Sequence, residues 1–140
     1  MSKIAVVYWS GTGNTEEMAY YVAEGAKGTN ADVSLIEAEN FGSDKMDSYD
    51  AIAFGCPAMG AEVLEETIFE PMFQDCKTKL KNKRIALFGS YGWGDGEWMR
   101  NWEEDCRETG AVLACDSVMC TDSPDAEAVR ACKVLGEALN

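Results

Sequence analysis

The stretch "KIAVVYWSGTGNTEEMAYYV" (residues 3–22) decides the fold. Lys3 to Trp9 is a nearly continuous apolar run with β-branched residues inside it, as expected of a strand covered on both faces. Ser10-Gly11-Thr12-Gly13-Asn14-Thr15 then interrupts. After that loop Met18, Tyr21, Val22 and Gly25 recur at helical spacing, with Asn14 placed to cap and Glu17 three residues on, an N-x-x-E variant of the capping box. A buried strand, a glycine-bearing loop and an amphipathic helix open a βαβ unit.

The alternation continues. "DVSLIEA" (32–38), "DAIAFGC" (50–56), "KRIALFGS" (83–90) and "AVLACDSVMC" (111–120) read as further strands. A helix is expected from about Asp95 to Thr109, stopped by Gly110. Another starts at Ser123-Pro124, a cap followed by proline at the first helical position. It presents Val129, Cys132, Leu135 and Leu139 on one face. Residues 64–80 read as helical despite Pro71, while 40–49 are too polar and short to assign. Strand–helix alternation predicts an α/β fold, a doubly wound parallel sheet of five strands with helices on both faces and right-handed crossovers. No repeat or linker divides the 140 residues, which read as one domain.

Composition narrows the function. There are 25 acidic residues against 12 basic ones, a formal charge of −13. Nucleic acid and anionic membrane surfaces both demand the opposite sign. No histidine is present, which removes Ser-His-Asp triads, Cys-His dyads and histidine metal ligands together. The six cysteines contain no C-x-x-C pair, so zinc and iron–sulfur ligation are not indicated, and most sit in apolar runs as small hydrophobes. Reduced thiols and the lack of a signal-peptide or membrane-spanning stretch point to a cytoplasmic protein.

In a doubly wound sheet, ligands bind beyond the carboxyl ends of the strands. Three glycine-rich segments fall there: 10–15, 56–62 and 89–96. The first offers backbone N–H groups, a helix N-terminus, three hydroxyls and an amide, and no lysine or arginine. It is not a Walker A loop, which needs G-x-x-x-x-G-K-[ST]. Nor is it the dinucleotide fingerprint, because Glu16 stands where the third glycine belongs. Taken alone it could be an ordinary turn. In "GCPAMGAEVLEE" (55–66), Met59 offers a polarizable surface to an aromatic face, Gly60 can change peptide orientation cheaply, and Glu62 can accept from a ring N–H. The competing reading has Met59 closing the core and Glu62 in solvent. In "FGSYGWGDGEWM" (88–99), Tyr91 and Trp93 alternate with glycines, which suggests rings held out over a flat ligand. Trp98, Trp102 and Trp9 read as packing residues. Together the loops describe a flat heteroaromatic ring joined to a phosphate by a polar chain, which fits flavin mononucleotide (FMN).

"YWSGTGNTE", "GCPAMGAEVLEE" and "LFGSYGWGDGEWM" resemble, in order and spacing, the flavodoxin family in its short-chain form from anaerobic bacteria. The resemblance, rather than the spacing, supplies the strand order 2-1-3-4-5, for which flavodoxin is itself a standard example. No insertion splits the last strand, which is what suggests the short-chain form. The resemblance further implies that Ser10, Gly11, Thr12, Gly13, Asn14 and Thr15 hold the phosphate and that Met59 and Trp93 flank the ring. Gly60 would reorient its peptide on the first electron, and Glu62 would bond the ring N3–H. Pro57, Ala58, Ser90, Tyr91, Gly92 and Gly94 would make backbone contacts, with Asp122 near the pyrimidine edge. The implied protein is a monomeric, non-enzymatic, low-potential one-electron carrier that shuttles non-covalently bound FMN between semiquinone and hydroquinone. An FMN-dependent NAD(P)H:quinone oxidoreductase on the same fold is the alternative.

Charge accounts for the missing cation. A cradle of neutral donors holds a dianion without cancelling it, so the second electron enters an unneutralised field. One carboxylate at about 10 Å and an effective dielectric of about 20 contributes roughly 1.7 kcal/mol of repulsion, or roughly 70 mV for a one-electron couple. Glu62, Glu65, Glu66, Asp95 and Glu97 are the acidic residues expected to dock basic patches of redox partners, transiently and electrostatically.

Overall fold

A computed structural model describes residues 2–140. Its strands are β1 (Lys3–Tyr8), β2 (Asp32–Glu37), β3 (Ala51–Gly55), β4 (Arg84–Tyr91), β5 (Val112–Leu113) and β6 (Val118–Thr121). Its α-helices are α1 (Asn14–Lys27), α2 (Phe69–Cys76), α3 (Glu97–Glu108) and α4 (Ala126–Ala138). The sheet is parallel with order β2-β1-β3-β4-β5, and β6 also pairs with β4.

The continuous apolar runs resolve into two alternating faces. Ile4, Val6 and Tyr8 of β1, Ala51 and Ala53 of β3, and Ala86 and Phe88 of β4 pack with Met18, Val22, Cys132 and Leu135 of α1 and α4. Ala5, Val7, Ile52, Phe54, Ile85 and Leu87 point the other way, onto Phe69, Phe73, Trp98 and Trp102 of α2 and α3. α1 and α4 approach so closely that a methyl group on Gly25 would lie 2.0 Å from the Lys133 carbonyl, and one on Gly136 2.1 Å from the Val22 carbonyl.

Four expectations are corrected, and one unassigned stretch takes a definite form. The fifth strand is not continuous: Ile85 pairs with Leu113 and Phe88 with Val118, so three steps along β4 face five along the outer strand. The surplus is taken up at Ala114–Ser117, a bulge that splits the position into β5 and β6. The last helix starts two residues late, because Asp125 rather than Ser123 caps it: the Asp125 carboxylate accepts the Ala128 N–H at 2.8 Å. Asn14 does not cap α1; Gly13 does, at φ 99°. The helix expected over 64–80 is confined to α2 and a 3₁₀ turn, Lys77–Lys79, with Pro71 tolerated in the first helical turn. The unassigned stretch after β2 forms two 3₁₀ segments, Ala38–Asn40 and Ser43–Ser48, where a crossover helix would stand.

Candidate cofactor site

Three loops leave the carboxyl edge of the sheet side by side. In the first, Trp9 is anchored by its N–H on the Gly55 carbonyl at 3.0 Å. The chain then turns through Ser10, whose Oγ accepts the Gly13 N–H at 3.0 Å. The first bond inside α1 runs from the Glu17 N–H to the Gly13 carbonyl. The N–H groups of Asn14, Thr15 and Glu16 therefore have no acceptor within the helix, and the helix dipole puts partial positive charge beside them. Thr15 is buried, and its hydroxyl oxygen accepts the Ser90 N–H at 3.3 Å, tying the first loop to the third.

The second loop is a closed hairpin. Met59 donates its N–H to Val63 at 2.9 Å, and Glu62 donates its N–H to Met59 at 2.7 Å. Neither Gly60 nor Ala61 has positive φ, whereas Glu62 does, at 53°. This is a three-residue hairpin connection, a turn of type I character closed by a left-handed residue. Glu62 reaches across to the third loop, where its carboxylate accepts the Glu97 N–H at 3.1 Å. Gly94, at φ 89°, leaves room for it: a methyl group there would lie 2.6 Å from the Glu62 carboxyl carbon. In that loop Trp93 is 63% exposed, as expected of a ring held outward. Tyr91 differs from expectation, since its ring packs inward at 5.3 Å from Trp98.

A cavity of about 240 Å³ lies between the loops. It gathers Gly11, Thr12, Asn14, Pro57, Ala58, Met59, Ser90, Tyr91, Gly92 and Asp122 of the expected residues. Ser10, Gly13, Thr15, Gly60, Glu62, Trp93 and Gly94 belong to the same loops without lining it. Asp122 is placed by a left-handed backbone, φ 57°, and by its N–H on the Tyr91 carbonyl. Trp9, which the sequence favours as a packing residue, also lines the cavity; its place at the carboxyl end of β1 is the signal for it.

Among the described residues, no lysine or arginine lines this cavity. A neighbouring cavity of about 180 Å³, on the other side of Trp9 and Ser10, is lined by Glu16, Glu37 and Glu39 and repels anions. Burial, then the charges of Glu16 and Glu37, raise the Tyr8 phenol, which donates to Glu16 at 3.3 Å. Of the acidic residues expected on the docking face, Glu65 is not there: it is 5% exposed and faces inward. Glu66, Asp95 and Glu97 are exposed. Burial, then nearby carboxylates, push the Cys120 thiol up to about 11, and burial pushes that of Cys132 up to about 12.

The chain matches the family model described as Flavodoxin over residues 6–134. It is 46% identical over 135 residues to the flavodoxin of Megasphaera elsdenii, covering 96% of each chain, and 44% identical over 134 residues to that of Clostridium beijerinckii, again covering 96% of each. The solution structure of two-electron reduced Megasphaera elsdenii flavodoxin superposes with a TM-score of 0.89 over 97% of each chain. An archaeal flavodoxin structure, 29% identical, superposes with a TM-score of 0.86. The parallel α/β sheet, the three-loop site without a cation and these relatives agree: the chain belongs to the flavodoxin family, FMN-binding electron-transfer proteins that serve redox partners and are not enzymes.

Proposed function

We propose that residues 1–140 act as one domain that carries electrons singly at low potential, with FMN held in the cavity between the three loops. The observation that carries the reading is the donor set. At one end of the cavity, Gly11, Thr12 and Asn14 present N–H, hydroxyl and amide groups beside the open N-terminus of α1, with no side-chain cation. This suits a phosphate monoester. At the other end, Trp9, Pro57, Ala58, Met59 and Tyr91 supply apolar walls, which suit a flat ring.

Bound FMN supplies the one-electron chemistry; the residues set its environment. Ser10 to Thr15 hold the phosphate through neutral donors and leave its charge in place. Met59, which lines the cavity, and the outward-held Trp93 would exclude water from the ring faces. Gly60 would offer its carbonyl to the bound ring once its peptide turns, and Gly94 makes room for Glu62. Glu62, Asp95 and Glu97, whose carboxylate oxygens approach within 4.8 Å of one another, keep the local field negative and oppose full reduction. Among the described residues no helix is long and apolar enough to cross a membrane. A cytoplasmic monomer meeting basic partner patches through Glu66, Asp95 and Glu97 fits these features. Transfer rates to such partners should fall as ionic strength rises.

Stepwise reduction of the FMN-loaded protein under argon, followed by absorbance, tests the reading. A stable blue stage between the yellow and colourless forms is expected. Electrons accepted only in pairs would overturn it.

A further inference from the structure

Glu65 is a buried carboxylate without a cationic partner. Among the described residues, no lysine or arginine forms an ion pair with it. Four donors take that place. The Thr67 N–H, at 2.9 Å, and the Thr67 hydroxyl both donate to Oε2. The Ile68 N–H at 2.8 Å and the Phe69 N–H at 2.7 Å donate to Oε1. Burial opposes the charge, and these bonds more than offset it, holding the carboxyl below the usual range. The side chain thus satisfies the N–H of Phe69, the first residue of α2, together with those of Thr67 and Ile68 in the turn just before it.

The backbone of Glu65 is engaged as well. Its N–H donates to Cys56 Sγ at 3.4 Å, and its carbonyl accepts the Glu70 N–H at 2.8 Å. Cys56 is itself fixed: its N–H donates to the Phe88 carbonyl, and its own carbonyl accepts the Trp98 indole N–H at 3.2 Å. Cys56 and Glu65 are the two feet of the hairpin that carries Met59 and Gly60. One foot is set by the sheet. The other is set by the Glu65 carboxylate clamp together with the backbone bonds of Glu65 to Cys56 and Glu70.

We propose that Glu65 is a positioning residue for electron transfer: its carboxylate, clamped by Thr67, Ile68 and Phe69, fixes the foot of the Cys56–Glu65 hairpin and so the placement of the Met59–Gly60 tip at the flavin. The inference rests on the assignment of that tip to the cofactor. It separates Glu65 from the exposed acidic residues nearby, which act through charge at a distance. Glu65 acts through geometry, and its charge is already matched by its donors.

The test uses Glu65→Gln and Thr67→Val in the full chain. Glu65→Gln turns one acceptor into a donor facing the Thr67 N–H; Thr67→Val removes only the hydroxyl donor. Three quantities are read for each: the FMN dissociation constant, the separation between the two one-electron potentials, and hydrogen exchange at the Met59 and Glu62 amides in the FMN-free protein. Glu65→Gln is expected to weaken FMN binding about tenfold and to change the ratio of the two electron affinities by a similar factor, about 59 mV. Exchange at both amides should quicken. Thr67→Val should move all three in the same direction by about threefold, and it carries the test if Glu65→Gln does not fold. A lowered melting temperature with all three quantities at their original values would overturn the proposal and leave Glu65 a purely structural cap. Met59→Ala is the control on the assignment beneath it. If Met59→Ala leaves FMN affinity and potentials unchanged, the tip is not at the flavin. If it changes them while Glu65→Gln and Thr67→Val do not, the clamp alone is wrong.

Discussion

The first and second loops leave adjacent strands of one sheet, yet they deal with their backbone polar groups in opposite ways. The loop 10–15 closes the Ser10–Gly13 bond and the Thr15–Ser90 tie, gives the Gly13 carbonyl to Glu17, and leaves the N–H groups at the start of α1 facing outward. Cys56–Glu65 turns its polar groups inward, through Met59–Val63, Glu62–Met59, Glu65–Cys56 and the four donors on the Glu65 carboxylate. On the proposed reading, the first loop, a set of unused donors, would bind through hydrogen bonds. The second has few donors to offer and would act through shape and through one turnable peptide. A site made of two loops of the first kind would bind anions without holding a ring. Two loops of the second kind would hold a ring and lose its phosphate.

The strongest way to break this contrast is to put a negative charge among the donors. A carboxylate about 4 Å from the phosphate at an effective dielectric of about 20 costs up to about 4 kcal/mol before screening. Thr12→Asp, at an exposed position in the loop, is therefore expected to weaken FMN binding about 100-fold, with riboflavin binding unchanged because riboflavin has no phosphate. Fluorescence titration with both ligands checks it, and equal losses for both would show that the loop does not discriminate by charge. Gly136→Ala tests the frame behind both loops. The added methyl group meets the Val22 carbonyl at 2.1 Å, so α1 and α4 must separate. Chemical denaturation should show a loss of about 1–3 kcal/mol, with the folded fraction binding FMN as before.

Much of this contrast was legible in the sequence, for reasons that also explain what was not. The runs at 3–9, 50–56 and 83–90 had to be central strands, because only a sheet covered on both faces can bury residues such as Val6 and Val7 in opposite directions. The glycine-rich segments had to be loops, and α/β topology put them at one edge. Local chemistry was less readable where two residues competed for one task. Ser123 and Asp125 can each cap a helix, and the choice fell to the one whose carboxylate reaches Ala128. Asn14 gave way to Gly13 because the turn there needs φ 99°, which glycine adopts without cost. The bulge at Ala114–Ser117 carries neither glycine nor proline to announce it. Glu65 was the largest miss. In "EVLEETIFE" it is one of four glutamates, and nothing in their spacing separates the buried one from the half-buried Glu62 and Glu70 or the exposed Glu66.

The finest test concerns the peptide between Gly60 and Ala61. A methyl group on Gly60 meets nothing within 4 Å, and neither residue has positive φ. The observed turn therefore has no need of glycine, and Gly60→Ala should leave the stability of the FMN-free protein unchanged. Any effect must come from a second orientation of the peptide, the one in which the Gly60 carbonyl faces the cofactor. A hydrogen bond made only in that orientation is worth about 1 kcal/mol, or about 40 mV in a one-electron potential. Gly60→Ala should narrow the separation of the two potentials by up to this amount. Turning the central peptide of such a turn moves the residue after it toward positive φ, which costs alanine about 1 kcal/mol more than glycine. Ala61→Gly should therefore widen the separation by a similar amount, and redox titration of both variants reads the two shifts. Opposite signs would place the switch in this one peptide. Unchanged potentials in both would show that the second loop contributes shape alone, and the contrast with the first loop would then be complete rather than partial.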